Sequence, residues 1–299
     1  MIKEKNSNYF LFTKKGVFLR MYDLHVHTTA SDGTCTPQEV LDRAVEIGLS
    51  GLAITDHDTV DGLELAQRYC IENKLQIDFI PGIELSTEDY GEEIHILGYF
   101  FDSKNVILQK RLKEIREARV NRAHKIINRL NNIGINISIS DVRKYAGEDF
   151  IGRPHIARAL IDQGYIMSVK EGFERYIGKG KPAYVPRYKF MPQEAIKLIK
   201  EADGISILAH PGLIENSRVI RQIVNMGIDG LEVYYPEHTR AQMAEFTRIC
   251  HENNFLLTGG SDYHGLESTD SKGNLGCTGV SWNLMKKMYL YKRQEGNKI

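Results

Sequence analysis

Cysteine is scarce in this chain. Four occur in 299 residues, at positions 35, 70, 250 and 277, and no CxxC pair is among them. That excludes a disulfide framework and reads as reduced thiols in a cytoplasmic protein. Long apolar runs are missing as well; nothing approaches the roughly 20 residues that a membrane span needs. Net charge is missing: 39 Lys and Arg balance 39 Asp and Glu, so no global field argues for nucleic acid or membrane. No RNP-type aromatic motif is present to support sequence-specific nucleic-acid binding. A secretory leader is not evident either. The patch Tyr9-Phe10-Leu11-Phe12 is too short for a signal core, and no small-residue cleavage site follows it. Met21 stands directly before Tyr22-Asp23-Leu24-His25. The expectation is that Met21 is the true start or that residues 1–20 are a poorly ordered extension, with an added edge strand as the alternative.

What is present is ordinary in bulk and unusual in detail. Hydrophobic content of 42% and charged content of 26% suit a globular protein with a sizeable core. Strand and helix patterns alternate. Strands are expected at 23–27, 51–55, 77–85 and 94–100, then at 205–209, 231–235 and 255–258. Helices are expected between them, near 62–73, 192–202, 215–226 and 238–253. Thr36-Pro37-Gln38-Glu39 predicts a helix start, with Thr36 capping, Pro37 at the first position and Glu39 closing a capping box; Gly48 ends that helix. Repeated β–α units predict an α/β protein with a parallel sheet, most economically a closed barrel.

Residues 102–188 break the alternation. A single long helical pattern runs from Val106 to Leu130. Between Lys104 and Arg129 it holds nine Lys or Arg against two Glu. This reads as a helical domain inserted between two halves of the barrel, 21–101 and 189–285, with a C-terminal tail from 286 to 299. The basic face is either a solvated helix with i,i+4 pairs or an attractor for a polyanionic substrate.

Nine metal-ligand-type side chains fall in short clusters, mostly where a strand ends. They are His25, His27, Asp32, His57, Glu84, His95, His210, Asp262 and His264. Residues two apart on a strand face one side, so His25 and His27 can serve one metal, as can Asp262 and His264. Each cluster has a bland reading. Asp32-Gly33 could be a turn, Asp56-His57-Asp58 a helix-cap cluster, Glu84 a surface residue and His95 a satisfied core residue. Shared placement at strand ends, where β/α barrels build active sites, favours the functional reading. Mixed imidazole and carboxylate donors suit Mn, Fe or Zn, and so many of them suit two or three ions.

The stretches Tyr22-Asp23-Leu24-His25-Val26-His27-Thr28, Ile54-Thr55-Asp56-His57-Asp58, Pro81-Gly82-Ile83-Glu84, Ile207-Leu208-Ala209-His210-Pro211 and Gly260-Ser261-Asp262-Tyr263-His264 resemble the PHP (polymerase and histidinol phosphatase) family. Gly152-Arg153-Pro154-His155 and Tyr184-Val185-Pro186-Arg187 are similar to its stand-alone phosphoesterase branch. The resemblance spans about residues 21–285. It implies a distorted (β/α)7 barrel with a small inserted helical domain and a trinuclear centre. His25, His27, Glu84 and Asp262 would hold one metal, Glu84 with His95 and His210 a second, and Asp32, His57 and His264 a third. Some relatives carry His where Asp32 stands, which bears on that third position. The implied activity is hydrolysis of nucleotide phosphoesters by a metal-activated hydroxide. The substrate would be a 3′,5′-nucleoside bisphosphate or a short 5′-phosphorylated RNA cut 5′→3′. Manganese is the favoured ion, with zinc or iron as alternatives. Arg153 would fork onto the phosphate. His155 would donate a proton to the leaving oxygen or bind a second phosphate. Lys179, Lys181 and Arg187 are further phosphate-binding candidates. No stable protein partner is implied.

Two rival readings share these residues: a histidinol-phosphate phosphatase, and a PHP module kept for metal binding alone. Such modules often lose ligands, whereas this chain keeps all nine. Amidohydrolases also use an HxH strand but usually add a bridging Lys, and here Glu84 stands at the strand end.

Overall fold

The computed structural model describes residues 21–146, 150–265 and 273–296. The expectation for residues 1–20 lies outside the described residues. Eight strands form one sheet: β1 (Met21–Val26), β2 (Gly51–Ile54), β3 (Asp78–Asp89), β4 (Glu92–Tyr99), β5 (Ile205–Leu208), β6 (Gly230–Tyr234), β7 (Leu256–Gly259) and β8 (Val280–Ser281). Their order is β7-β6-β5-β4-β3-β2-β1-β8. Beyond β7, Tyr263 bridges to Val26, and the His27 N–H donates to the Tyr263 carbonyl at 2.9 Å. The first and last inner strands therefore meet, and the sheet curls into a nearly closed barrel. This is the α/β barrel expected from the sequence.

The sheet is not wholly parallel, as the β–α pattern suggests it should be. β4 runs antiparallel to both β3 and β5, while β1–β3 and β5–β7 pair in parallel. The cause is local. Strands β3 and β4 are joined by Tyr90 and Gly91, both at positive φ (51° and 76°). A two-residue turn of that kind reverses the chain, whereas a parallel neighbour needs a crossover of a dozen residues or more. Reversal places the start of β4, and so His95, at the end of the barrel where β3 carries Glu84.

The helices follow sequence rules. In α1 (Pro37–Glu46), the Thr36 hydroxyl accepts from the Glu39 N–H and the Glu39 carboxylate accepts from Thr36, a complete capping box. The barrel is lined and surrounded by apolar residues from α1, from α2 (Asp61–Glu72), from the first half of α3 (Val106–Asn132) and from α7 (Pro192–Glu201), α8 (Ser217–Val224) and α9 (Arg240–Asn253). Between α3 and α7, the short helices α4 (Ile139–Arg143), α5 (Arg153–Asp162) and α6 (Val169–Gly172) pack in a separate cluster, and α10 (Trp282–Gly296) closes the chain. The segment set apart as a tail is thus helical as far as Gly296, and Met288 within it is fully buried.

Helix α3 is about 40 Å long at 1.5 Å per residue. It serves two cores. Leu108, Leu112 and Ile115 join the barrel cluster. Ala123, Ile126, Ile127 and Leu130 join a separate cluster built with Ile156, Leu160, Ile177 and Val185. Among the described residues no helix is long and apolar enough to cross a membrane, and all four cysteines are free thiols.

Candidate metal centre

Strand order brings the scattered ligand-type residues to one end of the barrel. His25 lies on β1 and His27 one residue past it, with ring centroids 5.2 Å apart. Glu84 lies on β3 and His95 on β4. His57, His210, Asp262 and His264 follow β2, β5 and β7. Three of the surrounding backbone positions are left-handed: Asp58 (φ 51°), His210 (φ 27°) and Asp262 (φ 52°). Such conformations persist in non-glycine residues only where neighbours enforce them, and they collect at functional sites.

Glu84 is the hub. Its Oε2 lies 3.4 Å from His25 Nε2, 3.3 Å from His27 Nε2 and 2.9 Å from His57 Nδ1. Its Oε1 lies 2.8 Å from His95 Nδ1 and 3.1 Å from His210 Nε2. Asp262 Oδ1 stands 3.1 Å from His27 Nε2 and 3.5 Å from His25 Nε2. Asp32 Oδ1 is 3.3 Å from His264 Nε2, and Asp32 Oδ2 is 4.0 Å from His57 Nε2. Ligand atoms within 4.8 Å of one another fall into three groups: His25–His27–Glu84, His27–Asp32–His57–His264, and His57–Glu84–His95. The first group holds three of the four residues expected together, without Asp262, and the second holds Asp32, His57 and His264 with His27 added. In the third, His57 stands where His210 was expected, although His210 also reaches Glu84.

These residues suit cations. His25 Nε2, both ring nitrogens of His27 and Glu84 Oε2 are buried and make no hydrogen bond among the described residues. Donor atoms converge there without the angles that hydrogen bonds require. With the imidazoles neutral, Asp32, Glu84, Asp262 and the nearby Glu232 concentrate four negative charges in buried positions. Two divalent ions would balance them, and buried charge without a partner is costly. Titration behaviour shows the same pull. Burial opposes ionisation of Glu84, yet His57, His95 and His25 hold its carboxyl well below the usual range. Burial likewise opposes Asp32, and His264 and His57 outweigh it. His27 is pushed up to about 9 because Asp262 and Glu84 outweigh burial. His57 falls to about 4, burial winning there.

Sequence reading missed the residues that hold these ligands. Glu232, fully buried on β6, lies 3.0 Å from His25 Nδ1 and accepts the His210 backbone N–H at 2.8 Å. Its only signal was a carboxylate in the apolar stretch Gly230-Leu231-Glu232-Val233. The Tyr235 hydroxyl donates to Asp262 Oδ2 at 3.0 Å. Asp56 accepts from the Thr28 N–H and from the Thr28 and Ser31 hydroxyls, which fixes the loop before Asp32.

The expected phosphate-binding residues divide. Arg153 donates to Glu93 Oε2 at 2.8 Å, and Arg187 pairs with the other oxygen of Glu93. Glu93 Oε1 is also 3.2 Å from His95 Nε2, so both arginines border the centre. Arg187 Nη1 is buried with no hydrogen bond among the described residues. Arg122 lies close by, and burial with Arg153, Arg187 and Arg119 pushes it down to about 9. Lys179 donates instead to the Gly91 carbonyl at the β3–β4 turn, and Lys181 is exposed. His155 is 1% exposed. Its Nδ1 accepts the Gly152 N–H at 3.1 Å, and its ring also bonds to the Ser31 backbone. Burial holds it down at about 4. A neutral, enclosed imidazole with Nδ1 occupied braces the Gly-Arg-Pro turn, and the proton-donor role expected of it has no support in this geometry.

A β/α barrel whose strand ends gather six imidazoles and three carboxylates defines a metal-dependent hydrolase. Comparison with known proteins gives the family. Residues 23–206 match the PHP domain. The 5′-3′ exoribonuclease Rnm of Escherichia coli is 32% identical over 249 residues, 82% of this chain and 85% of that protein. The 3′,5′-nucleoside bisphosphate phosphatase of Chromobacterium violaceum is 33% identical over 248 residues, 81% of this chain and 86% of its own length. A solved structure from Bifidobacterium adolescentis, described as a candidate metal-dependent phosphoesterase, superposes with a TM-score of 0.83 at 29% identity, covering 90% of this chain and 95% of that one. The chain belongs to the PHP domain family. The phosphoester-hydrolase class expected from the sequence stands.

Proposed function

We propose that this phosphoester hydrolase acts on nucleotide phosphates, either a 3′,5′-nucleoside bisphosphate or a short 5′-phosphorylated RNA. The observation that carries the reading is Glu84, whose two carboxylate oxygens serve five histidines. His25, His27, Glu84 and Asp262 would hold one ion, Glu84, His95 and His210 a second, and Asp32, His57 and His264 a third. Manganese is the favoured ion for this donor set, with zinc or iron as alternatives. Divalent ions held there supply an activated water and neutralise phosphoryl charge.

The chain's own residues supply the rest. Glu232 orients the His25 ring and Tyr235 fixes the Asp262 carboxylate, so the ligands stay aimed when substrate binds. Arg153 and Arg187 fork onto phosphate oxygens from the rim; Arg187 has a donor to spare, and Glu93 holds both guanidiniums in place. Helices α4–α6 with the second half of α3 are read as an inserted domain that covers this rim. A nucleotide substrate is supported by the named activities of the two curated relatives. Free cysteines fit a cytoplasmic location.

The test is phosphate release by the Mn-loaded protein from adenosine 3′,5′-bisphosphate, AMP, histidinol phosphate and a 5′-phosphorylated RNA trimer, beside an Asp262→Ala control. Release from the bisphosphate or trimer that the control lacks is the expected result. Release from histidinol phosphate alone would move the protein to that activity. No release from any substrate, with metal bound, would leave a binding module.

A further inference from the structure

The segment between β4 and β5 does more than border the centre. It holds the loops that carry two of the outer ligands, Asp32 and His57. The most consequential contact is made by Arg119, which lies on α3 between Ile115, the last residue of that helix in the barrel cluster, and Ala123, the first in the second cluster. Arg119 is thus at the seam of the two cores.

Its partner is Asp58, next in sequence to His57. Asp58 is fully buried and sits in the left-handed region at φ 51°. Its Oδ1 accepts the Ser86 N–H at 2.8 Å. Its Oδ2 accepts Arg119 Nε at 2.8 Å and Arg119 Nη2 as well, a two-pronged charged pair. The same Nη2 donates to Ser86 Oγ at 2.9 Å, and that oxygen lies 3.3 Å from His57 Nδ1. One guanidinium therefore holds both the turn after His57 and the hydroxyl beside its ring. Phe150 packs on the guanidinium face, 4.7 Å from ring centre to Cζ.

We propose that Arg119 is a positioning residue that makes cation binding at Asp32, His57 and His264 depend on the seating of the helical segment. The inference rests on the reading above that these three residues hold a metal. Ligands on strands keep their spacing through the sheet's hydrogen bonds. His57 lies past the end of β2, where its sheet contact is a single bridge to Glu84, with the Asp58 N–H donating to the Glu84 carbonyl at 2.9 Å, and Asp58 itself is held left-handed. Without Arg119, Asp58 keeps the Ser86 N–H and its backbone bond to Glu84 but loses its paired cation, and the Asp58 carboxylate and the Ser86 hydroxyl beside the His57 ring shift. The His57 ring then moves relative to Asp32 and His264, while His25 and Glu84 stay on their strands and Asp262 stays held by Tyr235.

The experiment is Mn titration of the EDTA-treated full chain by calorimetry, with a metal count per chain after gel filtration. Wild type is compared with Arg119→Ala, Arg119→Lys, Ser86→Ala and Arg111→Ala. Arg111 is a control on the same helix that ties α3 to Glu194 and Tyr188, away from the ligands. The expected result for Arg119→Ala is one class of Mn sites weakened by about 10–100-fold, the range for changes behind a ligand, and one fewer ion retained per chain. The tighter class is unchanged. Arg119→Lys recovers only part, because a single ammonium cannot fork onto Asp58 and reach Ser86 together. Ser86→Ala removes one hydroxyl without threatening the fold, and it weakens the same class. Arg111→Ala lowers the melting temperature without altering Mn affinity. Wild-type Mn affinities in both Arg119→Ala and Ser86→Ala would overturn the inference, as would equal weakening of every class. A wild-type chain that binds no Mn, Zn or Fe would overturn the metal reading itself.

Discussion

The inner and outer parts of the candidate centre are built differently. Inner residues His25, Glu84, His210 and Asp262 lie on strands or one to three residues past them, and other barrel residues brace them: Glu232 on β6 and Tyr235 just beyond it. Outer residues Asp32, His57 and His264 lie on the loops. The first two are braced from the segment between β4 and β5, where Arg119 grips Asp58 and Arg158 reaches the Asp32 carbonyl. A strand sets ligand spacing with a ladder of backbone bonds, so a brace from the same sheet suffices. A loop has no continuous ladder (the His57 turn keeps one bridge, to Glu84), and its ligands depend more on the partner that reaches them.

The strongest way to break that contrast is to remove the residue both parts share. Glu84→Gln keeps the shape of the hub and removes its charge. We expect loss of phosphate release well beyond the roughly 100-fold that changes behind a ligand produce, with Mn affinity falling at every site. Steady-state rates with calorimetric Mn titration check this. A variant that lost only the outer ion would show that Glu84 is not the hub.

A shift of pH should separate the two parts in EDTA-treated protein. His25 is held well above its ordinary range because Glu232, Glu84 and Asp262 outweigh burial, and His27 is raised to about 9. A raised folded pKa gives stability that is full below the unfolded value near 6.5 and is lost as pH rises through the folded value, about 9 for His27. His57 and His155 are lowered to about 4, burial being the main cause in each. Their contribution is full above about 6.5 and is lost as pH falls through about 4. For His27, His57 and His155 the shift corresponds to about 3 kcal/mol each. Hydrogen exchange should therefore show α5 and the His57 turn opening first in acid, and β1 opening first in mild base. The same order at both ends would remove the distinction.

Much of this centre was legible in the chain. The nine ligand-type residues declared themselves because strand ends repeat one pattern, and Thr36-Pro37-Gln38-Glu39 gave its helix start because a capping box is local. What stayed hidden depends on distant pairing. Arg119 was one of eight Lys or Arg residues on α3, and nothing in its spacing points to Asp58, 61 positions away. Glu232 looked like any carboxylate until β6 turned it inward. The direction of β4 rested on Tyr90-Gly91, two residues that a β–α rhythm does not flag. His155 has the chemistry of a proton donor, and only packing shows that it is enclosed.

Changing an inner brace sharpens the comparison at a smaller scale. Glu232→Gln keeps the side-chain volume but weakens the contact with His25 and with the His210 N–H. The expected cost is about 10–100-fold in Mn affinity at the inner ions, with the outer ion unaffected. A metal count per chain at limiting Mn distinguishes this from the Arg119→Ala pattern, in which the outer ion is the one lost.

The smallest expected effect belongs to Arg158→Ala. Arg158 reaches the Asp32 carbonyl at 3.2 Å with one nitrogen. It touches the backbone and not the carboxylate, and Asp56 already holds the same loop through Thr28 and Ser31. One such bond to a neutral carbonyl contributes about 1 kcal/mol. Mn affinity at the outer ion should therefore fall only about fivefold, with the inner ions and the melting temperature nearly unchanged. Because Arg119 and Arg158 brace different loops around one ion, the double variant tests whether they act as a unit. Additive losses would mean that each loop is positioned separately. A double variant no worse than Arg119→Ala alone would mean that once the His57 turn relaxes, the Asp32 loop no longer matters, and the outer group is assembled by the helical segment as a single step.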